Sequence, residues 1–265
     1  MMKIARDFLK KLGWYEYFRY SFFFTVYTRL FKRQVIRDHR KEVDFYRSFL
    51  PHNALIFDIG AYDGHKTAAF LELADRVVCC EPDNHNFRTL QIRFRNFRSR
   101  VFLENKALSD HTGIDTYYIH HAGSAFNTLN PKWKQILEAD GESRWNENIQ
   151  FSDQVNVSLT TLDQLISQYG KPGFIKIDVE GYEQVVLKGL SQKVPFLSFE
   201  CLLPDCKTEL LQCLQHLHQL DSAVTFNVAF NESLVLASFI SYNDMLQYID
   251  SSAPGCFEIV AKMKV

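Results

Sequence analysis

Two glycines and two carboxylates lie close together in residues 58–67, which read DIGAYDGHKT. They follow a short apolar run and precede a helical pattern, and doubly wound α/β sheets bind nucleotides where a strand is followed by a helix. Gly60 would let the chain turn tightly, and Gly64 would allow close approach to a ligand. The helix N-terminus would offer free N–H groups to an anion such as a carboxylate. This segment therefore predicts a nucleoside-binding loop.

A further carboxylate, Glu81, follows the next predicted strand, where it could accept hydrogen bonds from ribose hydroxyls. A dinucleotide-binding loop would read G-x-G-x-x-G. This chain instead reads G-A-Y-D-G, with Asp58 and Asp63 on either side of the turn. Two carboxylates would repel a pyrophosphate, but they would attract a sulfonium and an α-amino group. The charge pattern therefore favours S-adenosylmethionine over NAD as the cofactor.

Strand-like and helix-like segments alternate from residue 51 onward. Short apolar runs, which predict strands, are separated by segments with helical periodicity, and they occupy residues 54–59, 77–80, 101–103, 174–177 and 196–199. Strands separated by helices indicate right-handed βαβ units and a parallel sheet. We therefore predict an α/β domain over residues 51–265 with a doubly wound, mostly parallel sheet, preceded by a helical extension over residues 1–50.

The alternating pattern weakens in residues 120–152, which contain Gly123, Pro131, Gly141 and two tryptophans. An insertion above a parallel sheet is a natural substrate lid, because loops carry specificity while the sheet holds position. A surface excursion with its own small core would give the same pattern. Both interpretations stay open from the sequence.

The formal charge of the 265-residue chain is −1, which argues against a dedicated nucleic-acid binder. That total hides a division, because residues 1–50 carry 12 Lys and Arg against 5 Asp and Glu, and 14 of the 38 aromatic residues. The bases and aromatics of this segment include Phe22, Phe23, Phe24, Arg29, Lys32 and Arg33. Such a segment could lie on an anionic membrane surface or pack on the domain or on a second subunit, and we favour packing.

The longest uncharged run in this segment is residues 20–28, whereas crossing a bilayer takes about 18 or more apolar residues. No apolar stretch is followed by a small-residue cleavage site. The six cysteines include no C-x-x-C pair, so reduced structural thiols are expected. These features predict a cytoplasmic protein, with peripheral membrane contact left open.

Five segments in order resemble the FkbM family of class I S-adenosylmethionine-dependent methyltransferases. Residues 58–67 resemble motif I in its D-[IV]-G-A-x-x-G form, and residues 175–183, IKIDVEGYE, resemble the family's K-[IV]-D-V-E-G-x-E signature. Residues 81–82, 105–110 and 161–163 agree in order and spacing. The resemblance implies a Rossmann-like sheet of seven strands and transfer of a methyl group to a hydroxyl of a sugar, glycan or other secondary metabolite.

The resemblance also implies where the cofactor binds. Asp58, Gly60 and Thr67 would surround the methionine moiety, Glu81 would bind the ribose, and residues 105–108 would line the adenine. The residues predicted to bind the cofactor are Asp58, Gly60, Ala61, Tyr62, Asp63, Gly64, Thr67, Glu81, Asn105, Lys106, Ala107 and Leu108. Tyr62 stands where many relatives have Gly or Asn, and a bulky residue is strained at positive φ. We therefore expect the loop to take a different turn, with Tyr62 packed on the cofactor.

Three carboxylates follow the predicted strands late in the chain: Asp178, Glu180 and Glu200. Strand ends converge at one edge of a parallel sheet, so all three could approach the transferred methyl group. Positioning supplies much of the acceleration of such a displacement, and a carboxylate can accept the departing proton. We predict Asp178 or Glu180 as proton acceptor and Glu200 as the residue that orients the substrate. Asp178 with Glu200 could hold Mg²⁺ through oxygen ligands, but Mg²⁺ is not expected.

Two other functions stay open. A non-catalytic adaptor could keep the fold, although retention of Asp58, Glu81, Asp178 and Glu180 argues against this, and the missing G-x-G-x-x-G disfavours an NAD-type oxidoreductase. The expected partners are a small-molecule or glycan acceptor, with no nucleic acid, and membrane or homodimer contact through residues 1–50.

Overall fold

A computed structural model describes residues 14–141, 144–145, 147–251, 253 and 255–265. In these ranges, the helices are α1 (Tyr15–Arg19), α2 (Phe22–Phe31), α3 (Arg33–Arg47), α4 (His65–Phe70), α5 (Asn84–Arg93), α6 (Pro131–Asp140), α7 (Leu162–Tyr169), α8 (Glu183–Lys188), α9 (Lys207–Leu220) and α10 (Tyr242–Ser251). The strands are β1 (Asn53–Ile59), β2 (Ala74–Cys80), β3 (Val101–Glu104), β4 (Ala107–Leu108), β5 (Gly113–Ile119), β6 (Asp153–Thr160), β7 (Phe174–Ile177), β8 (Phe196–Leu202), β9 (Thr225–Ala229), β10 (Ile240–Ser241) and β11 (Cys256–Lys262).

The main sheet of the described residues has the strand order β10-β9-β11-β8-β7-β1-β2-β3. Strands β3, β2, β1, β7 and β8 run parallel, whereas β11 pairs antiparallel with β8 and β9. The predicted α/β class with a doubly wound, mostly parallel sheet is confirmed. The two-residue strand β10 is added at one edge, beyond the seven strands that the family resemblance implied.

The central strands are buried on both faces, which is why they read as nearly continuous apolar runs in the sequence. Along β1, Leu55, Phe57 and Ile59 belong to a core that includes residues of α7, α8, α9 and α10. Ile56 belongs to the core on the other face, with residues of α3, α4 and α5. This alternation is the two-residue period of a strand, so helices cover the sheet on both sides.

The chain winds outward from β1 to β2 and β3, and then crosses to the other side of β1 to form β7 and β8. The register pairs Ile59 with both Cys80 and Ile177. Therefore the residues that follow these three strands, Gly60, Glu81 and Asp178, emerge at one edge. Ligands of open α/β sheets bind in the crevice at such a switch point.

The end of the predicted N-terminal extension is part of the core. Val43, Phe45, Tyr46 and Leu50 are buried, and the Tyr46 ring lies 4.8 Å from that of Phe70, centroid to centroid. Residues 43–50 thus pack on the sheet, whereas most of the large apolar side chains of α1 and α2 are exposed. Residues 1–13 of the predicted extension lie outside the described residues, and the domain boundary near residue 50 stays a prediction.

Truncation of Tyr46 tests how far this segment stabilises the fold. We expect Tyr46→Ala to lower the free energy of unfolding by about 3–5 kcal/mol, because a buried ring is replaced by a cavity. Phe23→Ala, on the exposed face of α2, should change it by less than about 0.5 kcal/mol. Urea denaturation of both variants measures this difference. Equal effects would mean that residues 43–50 are not part of the cooperative core.

Residues 120–152 contain α6, a helix that the sequence interpretation did not include. Its start carries two ordinary signals, Pro131 at the first turn and Asn130 as N-cap, whose side chain accepts hydrogen bonds from the Lys132 and Trp133 N–H groups. Trp133, Leu137 and Ile149 are buried together as a small core of this segment. The 120–152 segment is joined to the three-stranded sheet β4-β6-β5 by the bridge between Tyr118 and Thr128.

Within the described part of the chain, no helix combines the length and the hydrophobicity that crossing a membrane requires.

Candidate active site

The main cavity lies at the switch point of the sheet. It is lined by Asp58, Ile59, Gly60, Ala61, Tyr62, His65, Lys66, Cys80, Glu81, Pro82, Asn86, Lys106, Ala107, Leu108, Tyr117, Ser124, Ala125, Asn127, Leu129, Asp178, Val179, Glu180 and Tyr182. Most of the residues predicted to bind a cofactor are therefore brought together around one space. Asp63, Gly64, Thr67 and Asn105 are the predicted residues that do not line it.

Gly60 allows the ends of β1 and β7 to lie close together at this edge of the sheet. Its φ is 80°, and a Cβ built on it would lie 1.8 Å from the carbonyl oxygen of Asp178. The N–H groups of Gly60 and Ala61 both donate to the Cys80 carbonyl, at 3.0 and 3.1 Å. Only glycine fits this position, since β1 and β7 approach each other too closely for any side chain. The tight turn predicted for Gly60 is what the structure contains.

The expectation that Tyr62 would force a different turn is wrong. Tyr62 itself takes the left-handed conformation, with a φ of 51°. Its N–H donates to Glu81 Oε2 at 2.8 Å, and this bond to a buried carboxylate holds the strained residue in place. The loop therefore keeps a left-handed turn, and the Tyr62 ring lines the main cavity.

Glu81 is buried at the floor of the cavity, and both of its carboxylate oxygens are anchored. Oε2 accepts from the Tyr62 N–H, and Oε1 accepts from the Asp83 N–H at 2.8 Å. Burial raises the pKa of Glu81 to about 8, against the opposing effect of these two hydrogen bonds. Each oxygen keeps a further lone pair, so the side chain can still accept hydrogen bonds from hydroxyls in the cavity.

Thr67 does not line the cavity itself, but it orients Asp58, which does. The Thr67 hydroxyl donates to Asp58 Oδ2 at 2.5 Å, and both residues are buried. Burial raises the pKa of Asp58, although the Thr67 hydrogen bond opposes the shift. Asp58 lines the cavity and Thr67 fixes its orientation, so the predicted contact of Thr67 with the cofactor becomes a supporting contact.

Asp63 and Gly64 face away from the cavity. Asp63 accepts hydrogen bonds from Arg19 at 3.1 Å and Arg93 at 3.2 Å. Burial alone would raise the pKa of Asp63, but a His65 hydrogen bond and the two guanidiniums hold it well below its usual range. A Cβ on Gly64 would lie 2.5 Å from the Phe94 ring and 2.7 Å from the Leu90 side chain, so the close approach predicted there is to the end of α5 and not to a ligand.

The segment after β3 forms another wall, in which Lys106, Ala107 and Leu108 line the cavity. Asn105 instead donates to the Glu81 carbonyl at 2.9 Å and joins this wall to the floor.

Residues of the 120–152 segment complete the enclosure. Asp83 Oδ2 accepts from the Gly123 N–H at 3.1 Å and from Asn127 Nδ2 at 3.0 Å, while Oδ1 caps α5 through His85 and Asn86. Ser124, Asn127 and Leu129 line the cavity as a result. The sequence did not predict these three residues, because their position depends on contacts with Asp83, which lies about 40 residues earlier in the chain.

Asp178, Glu180 and Glu200 converge as a cluster. One carboxylate oxygen of each lies within 4.8 Å of the others. Asp178 and Glu180 line the main cavity, while Glu180 and Glu200 line a second one, the aromatic cavity. That cavity is lined by Phe126, Trp133, Trp145, Glu180, Gly181, Glu183, Glu200, Cys201, Leu202, Cys206 and Cys256. The cluster therefore stands where two cavities meet.

Lys176 sets the charge of this cluster. It is fully buried, with Nζ 3.4 Å from Asp178 Oδ2 and 3.8 Å from Glu258 Oε2. Burial alone would raise the pKa of Asp178, but Lys176 lowers it. Burial and then Asp178 raise the pKa of Glu180 well above its ordinary value, and raise that of Glu200 too. Lys176 therefore favours the ionised form of Asp178, whereas burial favours the protonated form of Glu180.

The turn that carries Glu180 is fixed by the 120–152 segment. Glu180 has a φ of 54°, and its carbonyl accepts from Thr128 Oγ1 at 2.8 Å. Trp133 Nε1 donates to Glu180 Oε2 at 3.4 Å, and Gly181 packs on the Trp133 ring. Lys176 and Trp133 were not predicted as site residues. The sequence does carry a signal for Lys176, because it is a lysine inside the apolar strand Phe174–Ile177. It carries no comparable signal for Trp133.

An open parallel sheet with a glycine turn after its first strand and carboxylates after the neighbouring ones defines a Rossmann-like fold of the class I methyltransferase type. A family model described as the methyltransferase FkbM domain matches residues 58–206. The chain belongs to the FkbM methyltransferase family.

Solved structures give weaker similarity. The FkbM methyltransferase from Methylobacillus flagellatus KT is 18% identical with a TM-score of 0.47, over 78% of this chain and 43% of that one. This chain thus spans less than half the length of that structure. The precorrin-6y C5,15-methyltransferase from Geobacter metallireducens GS-15 is 10% identical, with a TM-score of 0.44 over 86% and 87% of the two chains. No curated protein matches the chain.

Proposed function

We propose that this protein is an S-adenosylmethionine-dependent O-methyltransferase that acts on a hydroxyl group of a sugar, glycan or secondary metabolite. The observation that carries the proposal is the position of Asp178, Glu180 and Glu200 where the main cavity meets the aromatic cavity. A group transfer needs a donor site and an acceptor site that share the reacting atoms. The main cavity would take the cofactor and the aromatic cavity the acceptor.

The donor set of the main cavity fits this cofactor. Glu81 has free lone pairs for the two ribose hydroxyls, and the apolar Ala107, Leu108 and Leu129 suit an adenine ring. Asp58 and Asp178 place negative charge near a cationic sulfonium and amino group. When bound, S-adenosylmethionine supplies an electrophilic methyl group. A dinucleotide pyrophosphate would meet the same carboxylates, which is an argument against NAD.

The aromatic cavity fits a hydroxylated acceptor. Phe126, Trp133 and Trp145 offer ring faces that can pack on the apolar face of a sugar ring. Glu180 and Glu200 at its inner end can hydrogen-bond the hydroxyl groups at the edge of such a ring. Protonated Glu180 would donate to an acceptor oxygen, and Glu200 would orient the sugar. A few polar groups in an otherwise apolar wall are typical of small-molecule sites.

Asp178 is the residue of the cluster suited to accept the proton. It is the carboxylate whose pKa Lys176 lowers, and it lines the cavity proposed for the cofactor. Lys176 keeps it ionised and neutralises charge left in the buried cluster. Only an ionised carboxylate can take the hydroxyl proton as the carbon–oxygen bond forms.

Isothermal titration with S-adenosylhomocysteine tests the cofactor assignment. We expect binding to the wild-type chain. Above pH 8, where Glu81 is ionised, Glu81→Gln should weaken binding by about tenfold or more, because an amide accepts fewer hydrogen bonds than a carboxylate. Glu72→Gln, an exposed substitution on the partner of His39, is the matched control and should bind as wild type does. No heat at about millimolar ligand would refute the proposal, and NADH binding in its place would revive the oxidoreductase.

The raised pKa of Glu81 gives this binding a pH dependence. Since burial raises that pKa to about 8, Glu81 is mostly protonated at pH 6 and ionises as the pH rises through 8. Ribose binding to the ionised form should strengthen over that range by up to about tenfold per pH unit. Glu81→Gln should remove this part of the pH dependence. A flat profile in the wild type would show that Glu81 is not the ribose acceptor.

A further inference from the structure

The helices that precede the catalytic domain display apolar side chains to solvent. Phe22 and Phe23 at the start of α2 are 77% and 79% exposed, and Phe31 at its end is 71% exposed. Val26 and Leu30 continue the stripe at steps of four residues from Phe22, which places them on one face of the helix. Singly exposed apolar residues are ordinary, but a contiguous aromatic face on a folded protein marks an interaction surface.

This face is held in a fixed place on the domain. Arg19 at the end of α1 pairs with Asp63 at 3.1 Å, and Arg95 donates to the Tyr20 carbonyl at 3.0 Å. The Arg93 guanidinium lies over the Tyr20 ring at 5.2 Å. At the other end, α3 enters the core through Val43 and Tyr46. The helix α2 lies between these two anchored helices, and the exposure of Phe22, Phe23 and Phe31 shows that its aromatic face is turned to solvent.

Positive charge adjoins the aromatic face. Lys32 and Arg33 follow Phe31 directly, and Arg37 and Arg40 follow on the exposed side of α3. Within the described residues, Lys32, Arg33 and Arg40 have no carboxylate partner, and Arg37 bonds to Gln34. These are cations available to an external anionic surface. We call this combination of aromatic and basic side chains, residues 22–40, the basic aromatic face.

We propose that the basic aromatic face docks this enzyme on an anionic lipid membrane surface, with the aromatics at the headgroup level and the bases against lipid phosphates. Aromatic residues beside lysine and arginine are the composition of helices that lie in the plane of a membrane, and each base near an anionic surface adds favourable energy. This inference does not depend on the proposed function of the cavities.

The charge of the basic aromatic face favours an anionic membrane over the other surfaces that could cover it, which are a second copy of the chain and residues 1–13. A second copy in a twofold contact would present the same net positive face, so the bases of the two copies would repel one another. Residues 1–13 carry four Lys and Arg against one Asp, so they do not complement the bases either. An anionic bilayer complements both the apolar and the basic part.

Flotation of the full-length chain with vesicles of phosphatidylcholine containing about 30% phosphatidylserine tests the proposal. We expect the wild type to float with these vesicles and to be released by high salt, because the charge term is screened. Phe22→Ser with Phe23→Ser should reduce the bound fraction at least about fivefold, and charge reversal of Lys32, Arg33 and Arg37 to Glu at least about tenfold.

The matched control variants carry the same types of substitution at exposed positions outside the basic aromatic face. Ile114→Ser with Val265→Ser removes two exposed apolar side chains, and Arg76, Lys171 and Lys188 reversed to Glu removes three exposed bases. Both control variants should float as the wild type does. Circular dichroism of every variant checks that it is folded.

Three outcomes would overturn the proposal. The first is a wild type that does not float, or a control variant that loses binding as fully as the matched test variant. The second is a dimer in sedimentation equilibrium that Phe22→Ser with Phe23→Ser dissociates, because a second copy would then occupy the face. The third is flotation that appears only after deletion of residues 1–13, because that segment would then cover it.

Discussion

Replacing Gly60 with alanine is expected to lower the free energy of unfolding by more than about 4 kcal/mol and to abolish binding of S-adenosylhomocysteine. The added Cβ would lie 1.8 Å from the Asp178 carbonyl oxygen, which belongs to the backbone and cannot rotate away. The ends of β1 and β7 would have to separate, and Glu81 and Asp178 would move apart with them. A positive φ of 80° adds a further penalty of about 1–2 kcal/mol.

Gly170→Ala is a control variant that introduces backbone strain without a steric clash. Gly170 also has a positive φ, of 96°, but a Cβ there meets nothing within 4 Å. With ψ at 170°, Gly170 lies in a region that other residues rarely adopt, so we expect this control to cost about 1–3 kcal/mol and to bind S-adenosylhomocysteine normally. Urea denaturation and isothermal titration of the two variants give both quantities. Similar losses in the two variants would show that strain alone explains the requirement for glycine at position 60.

Asp178→Asn is expected to reduce methyl transfer by about 10²–10⁴-fold, because the group that accepts the proton is lost. The measurement uses labelled S-adenosylmethionine and a panel of hydroxylated glycans and lipids read by mass spectrometry, followed by kinetics on the acceptor that is methylated. S-adenosylhomocysteine affinity should stay within about tenfold of the wild type, since Glu81 and the glycine turn are unchanged. A variant that transfers methyl groups at the wild-type rate would refute the assignment of Asp178.

The buried Lys176 makes this substitution hazardous for folding, because removing one partner of a buried ion pair destabilises a protein. Glu258, 3.8 Å from Lys176, remains as a second partner. Glu200→Gln provides a comparison within the same cluster. If Glu200 orients the acceptor, this variant should raise the KM for the acceptor more than it lowers kcat. Asp178→Asn should instead lower kcat with little change in KM.

The sheet and one edge of the site were predictable because their signals are local. Apolar runs bounded by glycines and carboxylates mark β1, β2 and β7, and the parallel arrangement then places Gly60, Glu81 and Asp178 at one edge. Tyr62 shows the limit of local rules. Its left-handed conformation is unfavourable for the residue alone and is held by a bond to Glu81, 19 residues further along the chain.

The remaining differences arise from contacts that spacing does not encode. Asp63 has the right residue type to attract a cation, but Arg19 and Arg93 already neutralise it. Gly64 has the flexibility to approach a ligand, but the side chain of Phe94 occupies the space it leaves. In both cases a residue 30 or more positions away in the chain determines the role, so a tertiary structure is needed to assign it.

Asp83 joins α5 to the 120–152 segment through one carboxylate. It caps α5 with one oxygen, and with the other it holds Gly123 and Asn127 of the segment that walls the main cavity. Widening the cavity on that side therefore requires both bonds to Oδ2 to break, while those to Oδ1 can persist. The position of that wall therefore depends on a single carboxylate oxygen, and it can change without uncapping α5.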